Sequence, residues 1–215
     1  MPHIDPGAKP HAARGSVLSS ARSISTAPPV PMRIDSRGII DVARQVDSPN
    51  ADDRPEGAVI SLVVLHGISL PPGEFGGNAV EALFNNTLDP AAHPYFATIA
   101  MLRVSAHVFL RRSGELVQFV PCGRRAWHAG ASAWQGRERC NDFSIGIELE
   151  GTDDVPYTRA QYRRLLPLLR VITRAYPITS IAGHSDVAPG RKTDPGPCFD
   201  WQRLRAAFPT LVAGD

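Results

Sequence analysis

The chain reads Ile60-Ser-Leu-Val-Val-Leu65 and then His66-Gly67. A short run of large and β-branched apolar residues is typical of a strand that is buried on both faces. The residues that follow, 70–77, are rich in glycine and proline, which predicts a loop. We therefore expect a buried strand that ends at His66, so that this polar side chain faces a cleft at the edge of a sheet.

A second stretch of sequence shows the same pattern, a short apolar strand followed by a histidine and a loop. Residues 178–182 form a short apolar strand that ends at Gly183-His184, and Asp194 lies in the loop that follows. If the two strands are neighbours, both imidazoles reach the same rim. Two histidines and a carboxylate are a common ligand set of catalytic zinc, because they leave the fourth coordination position open. From spacing alone, the histidines could equally be hydrogen-bonded structural residues, and Asp194 before Pro195 could be a turn residue.

The other segments predict a single α+β domain, in which a central mixed β-sheet is flanked by helices. A turn signal at Arg112-Ser-Gly114 separates two apolar runs and predicts a hairpin. Thr158 can cap a helix whose apolar residues recur at helical spacing to about residue 176. We also predict short helices at 79–84 and 201–208, a strand at 144–150, and a loop that runs to about residue 96.

Strand 144–150 alternates between an apolar face and a face that carries Glu148 and Glu150. If the second face lines the cleft, Glu148 could act as a general base, whereas Glu150 is expected to be solvated. Lys192 is the only lysine after residue 31, in a chain where 21 of the 23 basic residues are arginine. Its ammonium group could stabilise an oxyanion. The simpler interpretations are a solvated strand face and an exposed loop lysine.

Three further side chains could contact a ligand. Trp127 offers aromatic area for stacking on a sugar ring, and Arg103 and Arg139 could bind carboxylates through two parallel hydrogen bonds. Each of the three also has an ordinary interpretation as a core or surface residue.

Composition argues against two classes of partner. Residues 1–31 contain six prolines and few large apolar side chains, so we predict a disordered N-terminal arm there. The net charge of +2 comes from this arm, because basic and acidic residues balance at 20 each in the rest of the chain. A neutral body argues against nucleic acid as the main partner. No apolar run is long enough to span a membrane.

The cysteines indicate the compartment. Cys122, Cys140 and Cys198 are odd in number and form no CxxC pair, which argues against a disulfide framework or a cysteine-rich zinc knuckle. Free thiols in a reducing cytosol are the simplest interpretation. The N-terminus also lacks the continuous apolar region of a secretory signal. We therefore expect a cytoplasmic protein.

Several longer runs resemble a known family, the zinc-dependent 1,6-anhydro-N-acetylmuramyl-L-alanine amidases of the AmpD type. This family shares its fold with phage T7 lysozyme and the peptidoglycan-recognition proteins. The resemblance extends from about residue 32 to residue 208. It rests on the motifs Ile68-Ser-Leu-Pro-Pro-Gly-Glu-Phe-Gly-Gly77, Leu102-Arg-Val-Ser-Ala-His107, Arg125-Ala-Trp-His-Ala-Gly130, Gln135-Gly-Arg-Glu-Arg-Cys-Asn-Asp-Phe-Ser-Ile-Gly-Ile-Glu-Leu-Glu-Gly-Thr152 and Arg191-Lys-Thr-Asp-Pro-Gly-Pro197.

The resemblance implies roles for the residues that spacing left open. It implies that His66, His184 and Asp194 bind Zn²⁺ as the cofactor. Glu148 and Lys192 match the catalytic glutamate and lysine of the family. The implied domain is an amidase domain at residues 32–215.

The same resemblance implies the substrate and the setting. The family hydrolyses the amide between the lactyl group of 1,6-anhydro-N-acetylmuramic acid and the L-alanine of the stem peptide, in the bacterial cytoplasm during peptidoglycan recycling. Arg103, Arg139 and Trp127 match positions that resemble its substrate-binding residues. The expected partner is therefore an anhydromuropeptide, and the expected state is a monomer.

One residue departs from the family pattern. Gly67 stands where relatives usually carry an asparagine that is placed to contact substrate, which puts the details of substrate contact in doubt. Three alternatives remain open at this point: a non-catalytic muropeptide-binding module, a periplasmic amidase that acts on intact peptidoglycan, and a structural zinc site. The first alternative needs no zinc, and the third predicts that the protein unfolds on chelation.

Overall fold

A computed structural model of the chain describes residues 31–212. The predicted arm falls almost entirely on residues 1–30, which lie outside the described residues. In chain order the described elements are β1 (Arg44–Gln45), β2 (Ala51–Asp52), β3 (Leu62–Ile68), α1 (Ala79–Phe84), α2 (Pro94–Ile99), β4 (Val108–Leu110), β5 (Leu116–Gln118), β6 (Arg125–Ala126), β7 (Ala133–Trp134), β8 (Arg137–Glu138), a 3₁₀ turn (Cys140–Asp142), β9 (Ser144–Glu150), α3 (Arg159–Ala175), β10 (Ser180–Gly183), α4 (His184–Val187) and α5 (Trp201–Ala207).

Six of these strands form one mixed sheet in the order β1-β5-β4-β9-β3-β10. Strand β3 lies between β9 and β10 and is parallel to both, and β4 is parallel to β9. The hairpin of β4 and β5 supplies the antiparallel pair. The prediction of a single α+β domain with a central mixed sheet is therefore confirmed. The two strands that lead to His66 and His184 are neighbours, which is the condition for both imidazoles to reach the same rim.

The alternation of side chains along β3 determines which face of the sheet carries the candidate ligand His66. Val63 and Leu65 belong to the apolar cluster that includes the buried face of α3, whereas Leu62 and Val64 belong to a separate cluster on the other face. Successive side chains of a strand point to opposite faces. His66 therefore lies on the face of Leu62 and Val64, away from α3.

Helix α3 covers the opposite face and begins where the sequence predicts. The hydroxyl of Thr158 accepts a hydrogen bond from the Gln161 amide (3.1 Å), and the Gln161 side chain accepts one from the Thr158 amide (2.9 Å), which is a capping box. Gln161 also donates to the carbonyl of Glu150 (2.9 Å), so the start of α3 is tied to the end of β9. The helix buries Tyr162, Leu165, Leu168, Leu169 and Ile172.

Three predictions about local structure need correction. Strand β3 continues to Ile68, so His66 lies within the strand rather than at its end. The expected loop before residue 96 contains the start of α2, because Pro94 occupies the first turn and the His93 side chain caps the helix by accepting from the Tyr95 amide (3.1 Å). Glu150 is buried rather than solvated, since its carboxylate accepts hydrogen bonds from backbone amides, including that of Arg112 (2.9 Å).

Within residues 31–212, no helix is both long enough and apolar enough to cross a bilayer.

Candidate metal centre and its cleft

Three neighbouring strands bring the predicted metal ligands together. His66 of β3 is in register with Glu148 of β9, and Leu65 is in register with Gly183 at the end of β10. His184 therefore leaves the sheet beside His66, as the first residue of α4. The loop after α4 then folds back over this edge and carries Asp194.

Asp194 is held in place by backbone contacts on both sides. The amide of Ser185 donates to its carbonyl oxygen (2.9 Å), and the amide of Gly67 donates to its carboxylate oxygen Oδ2 (3.4 Å). The hydroxyl of Tyr157 donates to the carbonyl of the next residue, Pro195 (2.9 Å). The carboxylate is thus fixed against the end of the sheet.

The three candidate ligand atoms form a small triangle. Nδ1 of His66 lies 2.9 Å from Nδ1 of His184 and 3.3 Å from Oδ2 of Asp194, and the His184–Asp194 distance is 3.1 Å. Lone pairs of two ring nitrogens and a carboxylate repel one another at this separation unless a proton or a metal cation lies between them. Two imidazoles and one carboxylate suit zinc and leave a fourth tetrahedral position for a reacting group, so the residues present fit this ion.

Burial and the contacts among the three groups favour a neutral His66 and an ionised Asp194. Burial lowers the pKa of His66 to about 4, so this ring is neutral at pH 7. Burial raises the pKa of Asp194, but its contacts with the ring nitrogens of His184 and His66 outweigh that effect and hold the pKa well below its usual range. The cluster therefore carries a negative charge on Asp194, which a divalent cation would compensate.

The outer nitrogens of both histidines also have partners. Nε2 of His66 lies 2.9 Å from Nδ1 of His128, and Nε2 of His184 lies 3.3 Å from the carbonyl oxygen of Ala129. Such contacts orient the rings of metal-binding histidines and fix the tautomer. The sequence analysis assigned no role to His128, although it lies in the Trp-His-Ala-Gly motif, because its partner is 62 residues away in the chain.

Glu148 lies beside the three ligands without belonging to them. Its Oε1 is 4.0 Å from Nδ1 of His66, and its Oε2 has no hydrogen-bond partner among the described residues. Burial and the nearby carboxylate of Asp194 raise its pKa well above the ordinary value, against an opposing effect of Lys192. A buried carboxyl with an unpartnered oxygen and a raised pKa has the properties of a general acid–base group.

A cavity of about 690 Å³ opens next to this cluster. Its polar lining includes Glu148, His184, Lys192 and Asp194, while Leu70 and other apolar residues line the rest. A concave site of this size with a few convergent polar groups suits a small ligand. The structure thus brings both predicted catalytic residues and two of the predicted metal ligands to one cavity wall.

The three predicted substrate-binding residues, unlike the predicted catalytic residues, do not line this cavity. Arg103 is exposed between Leu102 and Val104, which line the cavity, and its guanidinium is 3.2 Å from the Leu102 carbonyl. Trp127 is half-buried beside His128, and its amide donates to the Ser105 hydroxyl (3.0 Å).

Arg139 is not among the residues that line this cavity. It is 3.2 Å from the carboxylate of Asp142 and lines a second groove, which also includes Glu138 and Arg191. The roles of Arg103, Arg139 and Trp127 in substrate binding stay predictions.

Comparison with known proteins agrees with this geometry. Residues 56–197 match the family model of N-acetylmuramoyl-L-alanine amidases. The match spans most of the chain and includes five of the six strands of the central sheet, the three candidate ligands and Glu148. The chain therefore belongs to the N-acetylmuramoyl-L-alanine amidase family, and it is an enzyme of that class.

Within the family, several relatives that match most of this chain are named AmpD. The chain is 61% identical over 165 residues to the 1,6-anhydro-N-acetylmuramyl-L-alanine amidase AmpD of Escherichia coli (strain K12), covering 76% of this chain and 90% of that protein. It is 59% identical to the crystal structure of a selenomethionine derivative of AmpD, with a TM-score of 0.80 over 82% of this chain and 99% of that one.

A more distant structure contains a bound substrate. It is the N-acetylmuramyl-L-alanine amidase AmiD from E. coli, in complex with anhydro-N-acetylmuramic acid-L-Ala-D-γ-Glu-L-Lys. The identity is 29% and the TM-score 0.52, with 85% of this chain and 67% of that chain covered.

Proposed function

We propose that this enzyme is a zinc-dependent amidase that cleaves the bond between 1,6-anhydro-N-acetylmuramic acid and L-alanine in anhydromuropeptides. The observation that carries the proposal is the convergence of His66, His184 and Asp194 beside Glu148, next to a cavity that His184, Asp194 and Glu148 line. The names of the similar AmpD proteins support the choice of substrate. So does the ligand in the AmiD complex.

His66, His184 and Asp194 would hold the zinc ion through Nδ1, Nδ1 and Oδ2. Their ligand atoms all lie within 4.8 Å of one another. A zinc ion bound there would polarise the scissile carbonyl and lower the pKa of a water molecule toward about 7.

Glu148 would move the proton. Its buried carboxyl would take a proton from the attacking water and deliver it to the nitrogen of the leaving L-alanine. One group can perform both transfers because a raised pKa brings its two protonation states closer together in energy at neutral pH. The unpartnered Oε2 leaves one oxygen available to the reactants.

Lys192 would stabilise the negative charge that develops on the carbonyl oxygen. It lies two residues before Asp194 in the same loop, and it lines the same cavity. A fixed ammonium group aimed at a developing oxyanion lowers the barrier without binding the ground state more tightly.

We further propose that the catalytic domain comprises residues 32–215 and that it acts in cytoplasmic peptidoglycan recycling. The free cysteines Cys122, Cys140 and Cys198 support a reducing compartment.

Product analysis tests the proposal directly. The purified protein is incubated with an anhydromuropeptide, and the products are identified by mass spectrometry, with and without a chelator and with zinc added back. We expect anhydro-N-acetylmuramic acid and a free peptide that begins with L-alanine. Glu148→Gln should retain zinc yet lose at least about 100-fold in turnover, whereas Glu56→Gln at an exposed position should behave as wild type. Cleavage that ignores the chelator, or that occurs at another bond, would contradict the proposal.

A further inference from the structure

His128 lies beside the candidate metal centre, against the outer edge of the His66 ring, and it also contributes to the lining of the cavity. It is buried, with 8% of its surface exposed, and it packs across Gly146 of β9. A β-carbon at position 146 would overlap the imidazole, so this site on a central strand must lack a side chain for His128 to lie there. The fold therefore makes room for an imidazole at this place.

Two hydrogen bonds continue from the ligand into the protein. Nδ1 of His128 is 2.9 Å from Nε2 of His66, and Nε2 of His128 is 3.1 Å from the hydroxyl of Ser144. The His66 and His128 rings are nearly perpendicular, and their centroids are 5.0 Å apart. Because that separation is close to the largest that a 2.9 Å nitrogen contact allows, both nitrogens lie almost on the line between the rings. This is the geometry of a hydrogen bond, not of a stacking contact.

The position of the protons determines whether His66 can bind a metal. A neutral imidazole has one N–H donor and one acceptor nitrogen. If the Nδ1 of His66 is to face a metal ion, the proton must be on Nε2, and Nδ1 of His128 must accept it. His128 then carries its own proton on Nε2 and donates it to Ser144. The opposite arrangement places a proton on Nδ1 of His66, where it blocks metal binding.

We infer that His128 is a positioning residue for the metal ligand His66, with Ser144 as its anchor. By accepting a hydrogen bond from Nε2, it holds both the ring and the tautomer in which Nδ1 of His66 faces the metal. This inference rests on the proposed zinc site and adds to it two residues that are not themselves ligands. Partners of this kind are worth roughly 10- to 100-fold in metal affinity in other zinc proteins.

A matched pair of variants separates the hydrogen bond from packing. In His128→Asn, the side-chain oxygen can take the place of Nδ1 as acceptor, whereas His128→Leu has nearly the same size and no acceptor. Zinc affinity is measured by competition with a chromogenic chelator. We expect His128→Leu to bind zinc about 10- to 100-fold more weakly than wild type, and His128→Asn to recover most of that loss. Equal affinities of the two variants would overturn the inference.

Two further measurements guard against a variant that merely folds poorly. Ser144→Ala removes the hydrogen-bond partner of His128 without contacting His66. We expect a smaller loss of zinc affinity than in His128→Leu. Unchanged affinity would show that Ser144 does not help to position His128. In ¹⁵N NMR of the zinc-loaded protein, the Nε2–H of His66 should be protected from exchange in wild type and in His128→Asn. It should be lost from the spectrum in His128→Leu, and its persistence there would overturn the inference.

Failure of the underlying proposal would be recognised separately. Wild-type protein that binds no zinc would contradict the proposed function and, with it, the role of His128. Wild-type protein that binds zinc no more tightly than His128→Leu would overturn the role of His128 alone.

Discussion

The hydroxyl oxygen of Tyr157 occupies the space beside Gly67 that the β-carbon of any larger residue would fill. The tyrosine ring also lies against Gly151, where a β-carbon would overlap it. Between these two glycines, the buried hydroxyl reaches the carbonyl of Pro195, directly after the candidate ligand Asp194. The absence of a side chain at position 67 is therefore matched to the position of Tyr157 in this protein.

A methyl group at position 67 should disturb this arrangement. We expect Gly67→Ala to destabilise the protein by about 1–3 kcal/mol, because the enclosed tyrosine has little room to move. Tyr157→Phe loses one hydrogen bond, and it should destabilise by about 0.5–1.5 kcal/mol. The double variant should be less destabilised than the two single variants added together, since the missing hydroxyl relieves the overlap. Urea unfolding of the three variants measures this, and strict additivity would contradict it.

Removal of the Lys192 ammonium group should reduce catalysis rather than metal binding. For Lys192→Ala we expect kcat to fall by about 100- to 1,000-fold at unchanged zinc content, as for the loss of an oxyanion donor. Arg163→Ala, which removes the same charge from the exposed side of α3, serves as the control and should retain full activity. Loss of zinc from the Lys192 variant would instead assign the lysine a structural role.

Glu148 should make the stability of the metal-free protein depend on pH. Burial raises its pKa in the folded state above the ordinary value of 4.5, so the folded protein binds the proton more tightly than the unfolded chain. The stabilising contribution of the protonated carboxyl is therefore fully present below about pH 4.5 and is lost as the pH rises through the folded-state pKa. Glu148→Gln removes this titration.

The corresponding measurement is urea unfolding of chelator-treated wild type and Glu148→Gln between pH 4 and about pH 8. The free energy of unfolding of the variant relative to wild type should increase with pH over this range. A difference that is constant with pH would show that Glu148 is not buried in its protonated form.

Chelation should inactivate the enzyme but leave it folded. His66 lies on the face of the sheet opposite the apolar cluster that packs against α3, so the packing of that cluster does not require a metal. We expect unchanged far-ultraviolet circular dichroism, a cooperative thermal transition at a lower temperature, and recovery of activity when zinc is restored. Loss of the cooperative transition would indicate a structural zinc site instead.

The elements that sequence predicts well are those whose pattern is local. Strand β9 and helix α3 are recognised from alternation and from helical spacing, and Thr158 marks the start of the helix. The adjacency of β3 and β10 was only a condition in the sequence analysis, and the parallel pairing of the two strands meets it. The prediction that His66, His184 and Asp194 bind zinc rested mainly on the resemblance to a family, because spacing alone also allowed hydrogen-bonded structural histidines.

The residues that sequence reasoning missed depend on tertiary partners. Arg54 gave no signal, yet its buried guanidinium donates to several backbone carbonyls, including those of Cys122 (3.1 Å) and Ser144 (2.8 Å). Burial lowers its pKa to about 10, so it stays charged at neutral pH. Glu150 was expected to be solvated for the same reason: alternation shows which face a residue is on, but not that a loop and a hairpin cover that face.

The distribution of the ligands along the chain has a consequence for biosynthesis. His184 lies 118 residues after His66, on the far side of the strand that completes the sheet. During translation, His66 is the only one of the three candidate ligands outside the ribosome until nearly the whole domain has been synthesised. Capture of the proposed zinc ion would therefore be a late event in the maturation of this enzyme, after the edge strand β10 has been added.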